Sequence, residues 1–235
     1  MFGDYEGLAG YAAPADTPGW YDYSPTPYRQ GANELWYWTM DDRDTEWLGL
    51  DPWAAFVSGR GTPGYAEARL AADFVTTQAQ GAAARDDVMT ADTRQSDNPN
   101  PFNPIVSATC LIQLAMGGLT PRHGFPLHCR LRYFDAALRR PGLPAGVAAL
   151  VTRLSADGAT VELVNTDQVA EKRLHLQGGA YGEHTFLSAK LAGGEEQPVG
   201  GPVFRVRLGP GSCATLELSM ARYSNPPSFA LPWDR

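Results

Sequence analysis

Cysteine is scarce in this chain: Cys110, Cys129 and Cys213 are the only three in 235 residues, and none belongs to a Cys-x-x-Cys pair. That excludes a disulfide framework and a thiolate metal site, and at most one bridge can form. Each has apolar neighbours and is expected to act as a small buried hydrophobe. Histidine is almost as sparse. His123 and His128 stand five apart across Gly124 and Pro126, a spacing that aims no pair of ligands at one metal. With no carboxylate cluster to match His175 or His184, no metal is expected. A Gly-x-Ser-x-Gly elbow, a phosphate-binding glycine loop and a dinucleotide fingerprint are also missing, so no cofactor is expected.

Long apolar runs are absent too. None approaches the ~18 residues that a membrane-spanning helix requires. The first residues, Met1-Phe-Gly-Asp-Tyr-Glu-Gly, are acidic and glycine-rich where a secretory signal would be basic and then apolar. Compartment is left open by both observations. Basic charge is short in the first half: residues 1–120 hold 6 Lys/Arg against 16 Asp/Glu. Residues 121–235 hold 13 against 10, with no run denser than Arg139-Arg140. The acidic half would repel a phosphate backbone and the rest offers no basic tract, so nucleic acid is not an expected partner.

What is present points to a folded domain. Apolar residues make up 43% and charged residues 19%, which suits a globular core rather than global disorder. The 25 glycines and 19 prolines favour many short elements joined by turns. Residues 1–30 are rich in Gly, Pro and Tyr, and Pro25 and Pro27 exclude a helix around Trp20-Tyr-Asp-Tyr-Ser-Pro-Thr-Pro-Tyr28. Helix punctuation follows. Asp51-Pro52, Thr62-Pro63 and Asn103-Pro104 each set a capping residue before a proline suited to the first helical position. Asn33 caps an earlier candidate through Met40. Ile105, Ala108, Ile112, Ala115 and Met116 keep helical spacing until Gly117-Gly118 ends it.

The period changes near Pro121. Leu127, Cys129, Leu131 and Tyr133 alternate with His128, Arg130, Arg132 and Phe134, the two-residue period of a strand. Val147–Leu154 and Ala159–Val164 read as a hairpin turned by Asp157-Gly158. Segments around Leu174–Leu176, Thr185–Leu191, Val203–Leu208 and Ala214–Met220 complete the set, and Trp233 is expected to dock the tail. The fold class is therefore α+β: a short helical, aromatic-rich region (1–120) packed on an antiparallel β-sandwich of about seven or eight strands (121–235).

Two groups of residues stand out as sites. Gln177, Gly178, Gly179, Tyr181, Glu183 and His184 interrupt the strand pattern with three glycines in Gln177–His184, and are expected to form a bulge closed by hydrogen bonds. Glu183-His184 is also a conceivable acid–base pair, although neighbours on a strand face opposite ways. Trp20, Tyr21, Tyr23, Tyr28, Trp36 and Trp38 are the ligand-binding candidates, since flat apolar faces with polar edges suit sugar rings. The alternative is that they, with Tyr37, pack the junction of the two halves. Asp41-Asp42-Arg43-Asp44 with Glu46 would supply carboxylates for glycosidic chemistry, or simply end a helix in water.

Helices leading into an all-β half resemble the layout of large bacterial enzymes acting on carbohydrate polymers, in which an (α/α) toroid precedes a C-terminal sandwich. The segments Glu34–Asp41, Asn165–Gln168, Gln177–His184 and Arg222–Pro227 also look like the tail of such longer proteins. The resemblance, to polysaccharide lyases and some glycoside hydrolases, implies the last toroid helices plus the sandwich, with most of any catalytic cleft outside this chain. It implies a carbohydrate-associated protein with no matched catalytic motif, one expected to be inactive alone. The alternative is a non-catalytic subunit docking on a larger protein through its aromatic half, because Tyr and Trp are also enriched at interfaces.

Overall fold

The computed structural model describes residues 36–41, 52–61, 63–90, 109–119 and 127–234. A helical turn at residues 36–39 is followed by α1 (Pro52–Val57), α2 (Tyr65–Thr90) and α3 (Thr109–Met116). Nine strands then follow among the described residues. They are β1 (Leu131–Asp135), β2 (Arg140–Pro141), β3 (Val147–Ser155), β4 (Gly158–Asn165) and β5 (Lys172–Gly178), then β6 (Thr185–Leu191), β7 (Glu196–Gly201), β8 (Val203–Leu208) and β9 (Cys213–Ala221). They pair antiparallel in two sheets, ordered β2-β1-β5-β8 and β3-β4-β9-β6-β7. The class is α+β, with two strands more than the seven segments that alternation marks. β2 is only two residues long, and β7 carries Pro198 and two glycines, a composition tolerated because β7 is a sheet edge.

Alternation builds the core. Leu131, Tyr133, Leu174 and Leu176 of the four-stranded sheet face Val161, Leu163, Leu216, Leu218 and Met220 of the other. Phe186 and Phe204 meet edge-to-face between the sheets, ring centroids 4.9 Å apart. Each such side chain removed from water stabilises by roughly 1.5–3 kcal/mol, much of it offset by lost chain entropy. The strand expected from Leu127 begins only at Leu131, because Cys129 is held back in a single bridge to Gly118.

The helices cover the β3 edge of the five-stranded sheet. Trp53, Ala54 and Val57 of α1, with Cys110 and Leu114 of α3, join the same core. The Tyr133 hydroxyl donates to the Ala115 carbonyl at 2.6 Å, tying the other sheet to the end of α3. Gly117, at φ 57, then stops that helix. α1 starts at Pro52 as its sequence suggests. Pro63 differs: the first acceptor of α2 is the Gly64 carbonyl, so Pro63 precedes the cap. Cys213 departs from expectation as well, lying exposed at the start of β9 while Cys110 and Cys129 are buried.

Gly158 has a different job from the one its Asp-Gly context implies. The hairpin turn is Ala156-Asp157, with Ser155 opposite Gly158. A Cβ on Gly158 would lie 2.3 Å from the Leu218 carbonyl oxygen of β9, so the residue is kept small by the neighbouring strand. Gly158→Ala should therefore cost about 1–3 kcal/mol in urea unfolding. Gly201→Ala, with nothing within 4 Å of its Cβ, should change stability by less than about 0.5 kcal/mol. Equal losses for the two would show that β9 yields at Gly158.

Candidate functional site

The sequence-selected aromatics divide. Trp20, Tyr21, Tyr23 and Tyr28 lie outside the described residues, as do Asp42, Arg43, Asp44 and Glu46. Trp36 and Tyr37 are buried in the core, both near Trp53 (ring centroids 6.0 and 6.3 Å). Trp38 is half-buried, stacked on Tyr223 at 5.5 Å and edge-on to His128 at 4.7 Å. Packing thus engages the rings of Trp36 and Trp38 from within the protein.

Gln177 to His184 form the connection by which the chain leaves β5 in one sheet and enters β6 in the other. Its backbone is closed by its own side chains. The Glu183 carboxylate accepts the Ala180 and Tyr181 amides at 3.2 and 2.7 Å. Gly179, at φ 83, leaves room for that carboxylate, since a Cβ there would lie 2.2 Å from Cδ of Glu183. The Gln177 amide nitrogen donates to the carbonyls of Gly179 and Ala180 at 3.2 and 3.1 Å. The Gly179 amide donates to the Arg130 carbonyl at 2.9 Å, joining the connection to the residue before β1.

His184 faces elsewhere. Its Nδ1 accepts the Tyr223 amide at 3.0 Å, and its ring meets the Tyr223 ring edge-on at 4.7 Å. Burial first, then Arg130 and Arg222, pull its pKa down to about 3. Burial also pushes the Tyr223 phenol up to about 12, against the pull of the same arginines. Glu183 is turned onto backbone amides and His184 onto Tyr223, so each has a separate structural partner. Cys129 is held as a thiol by burial, with its pKa far above the ordinary value. Among the described residues no group of three or more His, Cys, Asp or Glu stands together as a metal site. No described helix is long and apolar enough to cross a membrane.

A second constellation lies on the outer face of the four-stranded sheet. Arg173 and His175 of β5, Arg205 and Arg207 of β8, and Arg139 of the β1–β2 turn line a cleft of about 520 Å³. Trp233 forms one wall, edge-on to Phe134 at 6.0 Å and beneath the Arg139 guanidinium at 5.6 Å. Glu171 is the carboxylate here, 2.7 Å from Nε of Arg173 and 3.5 Å from Nε of Arg207. These cations were not marked by local sequence density. Their signal is the two-residue spacing of Arg173-x-His175 and Arg205-x-Arg207, which puts each pair on one face. Trp233 docks the tail as its sequence position suggests.

The His184 geometry has a pH consequence. In the unfolded chain the imidazole binds a proton below about pH 6.5; in the folded chain it does so only near pH 3. Its contribution is complete above the unfolded value and is lost as pH falls. Between about pH 7 and pH 5 this should remove about 2 kcal/mol of unfolding free energy. His184→Asn, which keeps an acceptor without the titration, should lose correspondingly less over that range. Parallel pH dependences in urea titrations would contradict a buried neutral imidazole.

No protein-family model, no curated protein and no solved structure matches this chain.

Proposed function

We propose that this chain is a carbohydrate-associated protein whose sandwich holds ligand, as part of a lyase- or glycosidase-like architecture. The observation that supports the reading is the cleft beside Trp233, where an indole wall stands among forked guanidinium donors. A ring of a saccharide has an apolar face for the indole and polar substituents for the guanidinium groups. The reading assigns binding rather than bond cleavage to the described residues. His184 is a buried acceptor of a backbone amide, and the Glu183 carboxylate is occupied by two others.

Calorimetric titration of the full chain with acidic and neutral oligosaccharides tests this. Trp233→Ala, with its circular dichroism spectrum unchanged, should weaken binding roughly tenfold, the scale of one lost stacking contact. Absence of saccharide binding by the wild-type chain would refute the reading.

A second reading, a non-catalytic subunit docking on a larger protein, is favoured by a different surface. An apolar groove of about 750 Å³ runs between α2, α3 and strands β3 and β4. Leu70 and Leu111 on its rim are 42% and 54% exposed, and Phe74 on α2 is 65% exposed. Apolar exposure of this kind marks protein contacts more often than monomer surface. On this reading the isolated chain self-associates in sedimentation velocity at micromolar concentration, and Phe74→Glu reduces the association. A cleanly monomeric wild type would count against it.

A further inference from the structure

We propose that the cleft beside Trp233 is a binding site for an acidic saccharide, its carboxylate or sulfate held by arginines and its ring set against the indole. The proposal rests on the carbohydrate reading and adds the charge class of the ligand.

Strand register is the first argument. β5 and β8 pair with Arg173 directly opposite Arg207 and His175 directly opposite Arg205. Directly opposed like charges such as Arg173 and Arg207 destabilise a sheet, and here Glu171 between them offsets part of that repulsion. Arg139 adds a fourth guanidinium from the β1–β2 turn. Among the described residues one carboxylate stands against these four, Glu171, shared between Arg173 and Arg207. Arg139 and Arg205 have no ion pair among the described residues. Asp135, at the base of that turn, accepts the Ala137 and Leu138 amides and lies 3.8 Å from Arg140. Asp234, next to Trp233, is turned back onto the Leu231 amide. Among the described residues the cleft therefore keeps an excess of positive charge that an incoming anion would offset.

The kind of cation narrows the ligand. Guanidinium groups are planar and forked, matching the paired oxygens of a carboxylate or sulfate in a way that ammonium groups do not. Their exposure is also suited to capture: the Arg173 and Arg207 side chains are 70% and 74% exposed. His175, at the base, is 7% exposed and held below its ordinary pKa by burial and then by Arg205. It offers a neutral ring nitrogen rather than another charge. The cleft volume lies within the range of small-ligand sites, roughly 300–1,000 Å³. The chain as a whole carries −7, which opposes a long, densely charged strand such as DNA and favours a short or sparsely charged ligand.

The test is titration of the full chain with an oligogalacturonate and a heparin-derived oligosaccharide. Neutral cello- and malto-oligosaccharides and a short oligothymidylate serve as the comparison arms. Both acidic saccharides, or one of them, should bind in preference to the neutral ones and weaken steeply with added salt. Arg205→Gln should lower that affinity roughly tenfold, the loss of one charge-assisted contact, with Tm unchanged or raised because a like charge has gone. Arg153→Gln, on the other sheet, should leave affinity unchanged. Binding of neutral saccharides alone, indifferent to Arg205→Gln, would overturn the anionic assignment while the carbohydrate reading stood. Binding of the oligothymidylate alone would overturn the saccharide assignment. No binding in any arm would overturn both the proposal and the reading beneath it.

Discussion

The structure turns on one buried cation. Arg130 is 1% exposed, and four parts of the fold meet at it. Its amide donates to the carbonyls of Met116 and Gly117, at the end of α3. Its carbonyl accepts the Gly179 amide from the connection between the sheets. Its guanidinium donates to the carbonyls of Ser155 and Gly158, at the β3–β4 turn, and lies 5.9 Å over the Tyr37 ring. No carboxylate among the described residues neutralises it. Carbonyl dipoles and a ring face substitute for water, and Nε is left without a partner. Removing a charge from water costs several kcal/mol, so these surroundings must be held closely in place. Arg222, half-buried, joins the Ala156 carbonyl to those of Trp38 and Thr39. The aromatic helical turn is thus pinned to the sandwich by two arginines.

Much of the fold was legible because strand alternation is local. Val147–Leu154, Thr185–Leu191 and Val203–Leu208 each show their inner face in a single short stretch. β7 was not legible, since Glu196-Gln-Pro-Val-Gly-Gly201 has no alternation and a single strand-forming residue, Val199, and pairs only as an edge. The role of Gly158 was hidden for a related reason: the atom that excludes a side chain belongs to Leu218, sixty residues along the chain. Trp36 and Trp38 drew attention by density, which cannot separate a ring that packs from one that binds.

The cleft was the least legible feature. Arg139, Arg173, Arg205 and Trp233 come from a turn, two strands and the tail, and no window of sequence contains two of those elements. Only the β5–β8 register brings Arg173 and Arg207 together. The result is a division of labour between two sets of arginines. Arg130 and Arg222 donate to backbone carbonyls and hold elements together, while those on the outer face line the cleft, with Arg173 and Arg207 sharing Glu171. The proposed ligand contacts belong to the second set.

The most direct measurement is the amide and side-chain NMR spectrum of the labelled chain as an acidic oligosaccharide is added. The account predicts shifts of the Trp233 indole and the Nε signals of Arg139, Arg173, Arg205 and Arg207, with Trp36, Trp38 and Trp53 unmoved. Shifts centred on Trp38 and Tyr223, or on Leu70 and Leu111, with Trp233 silent, would contradict it.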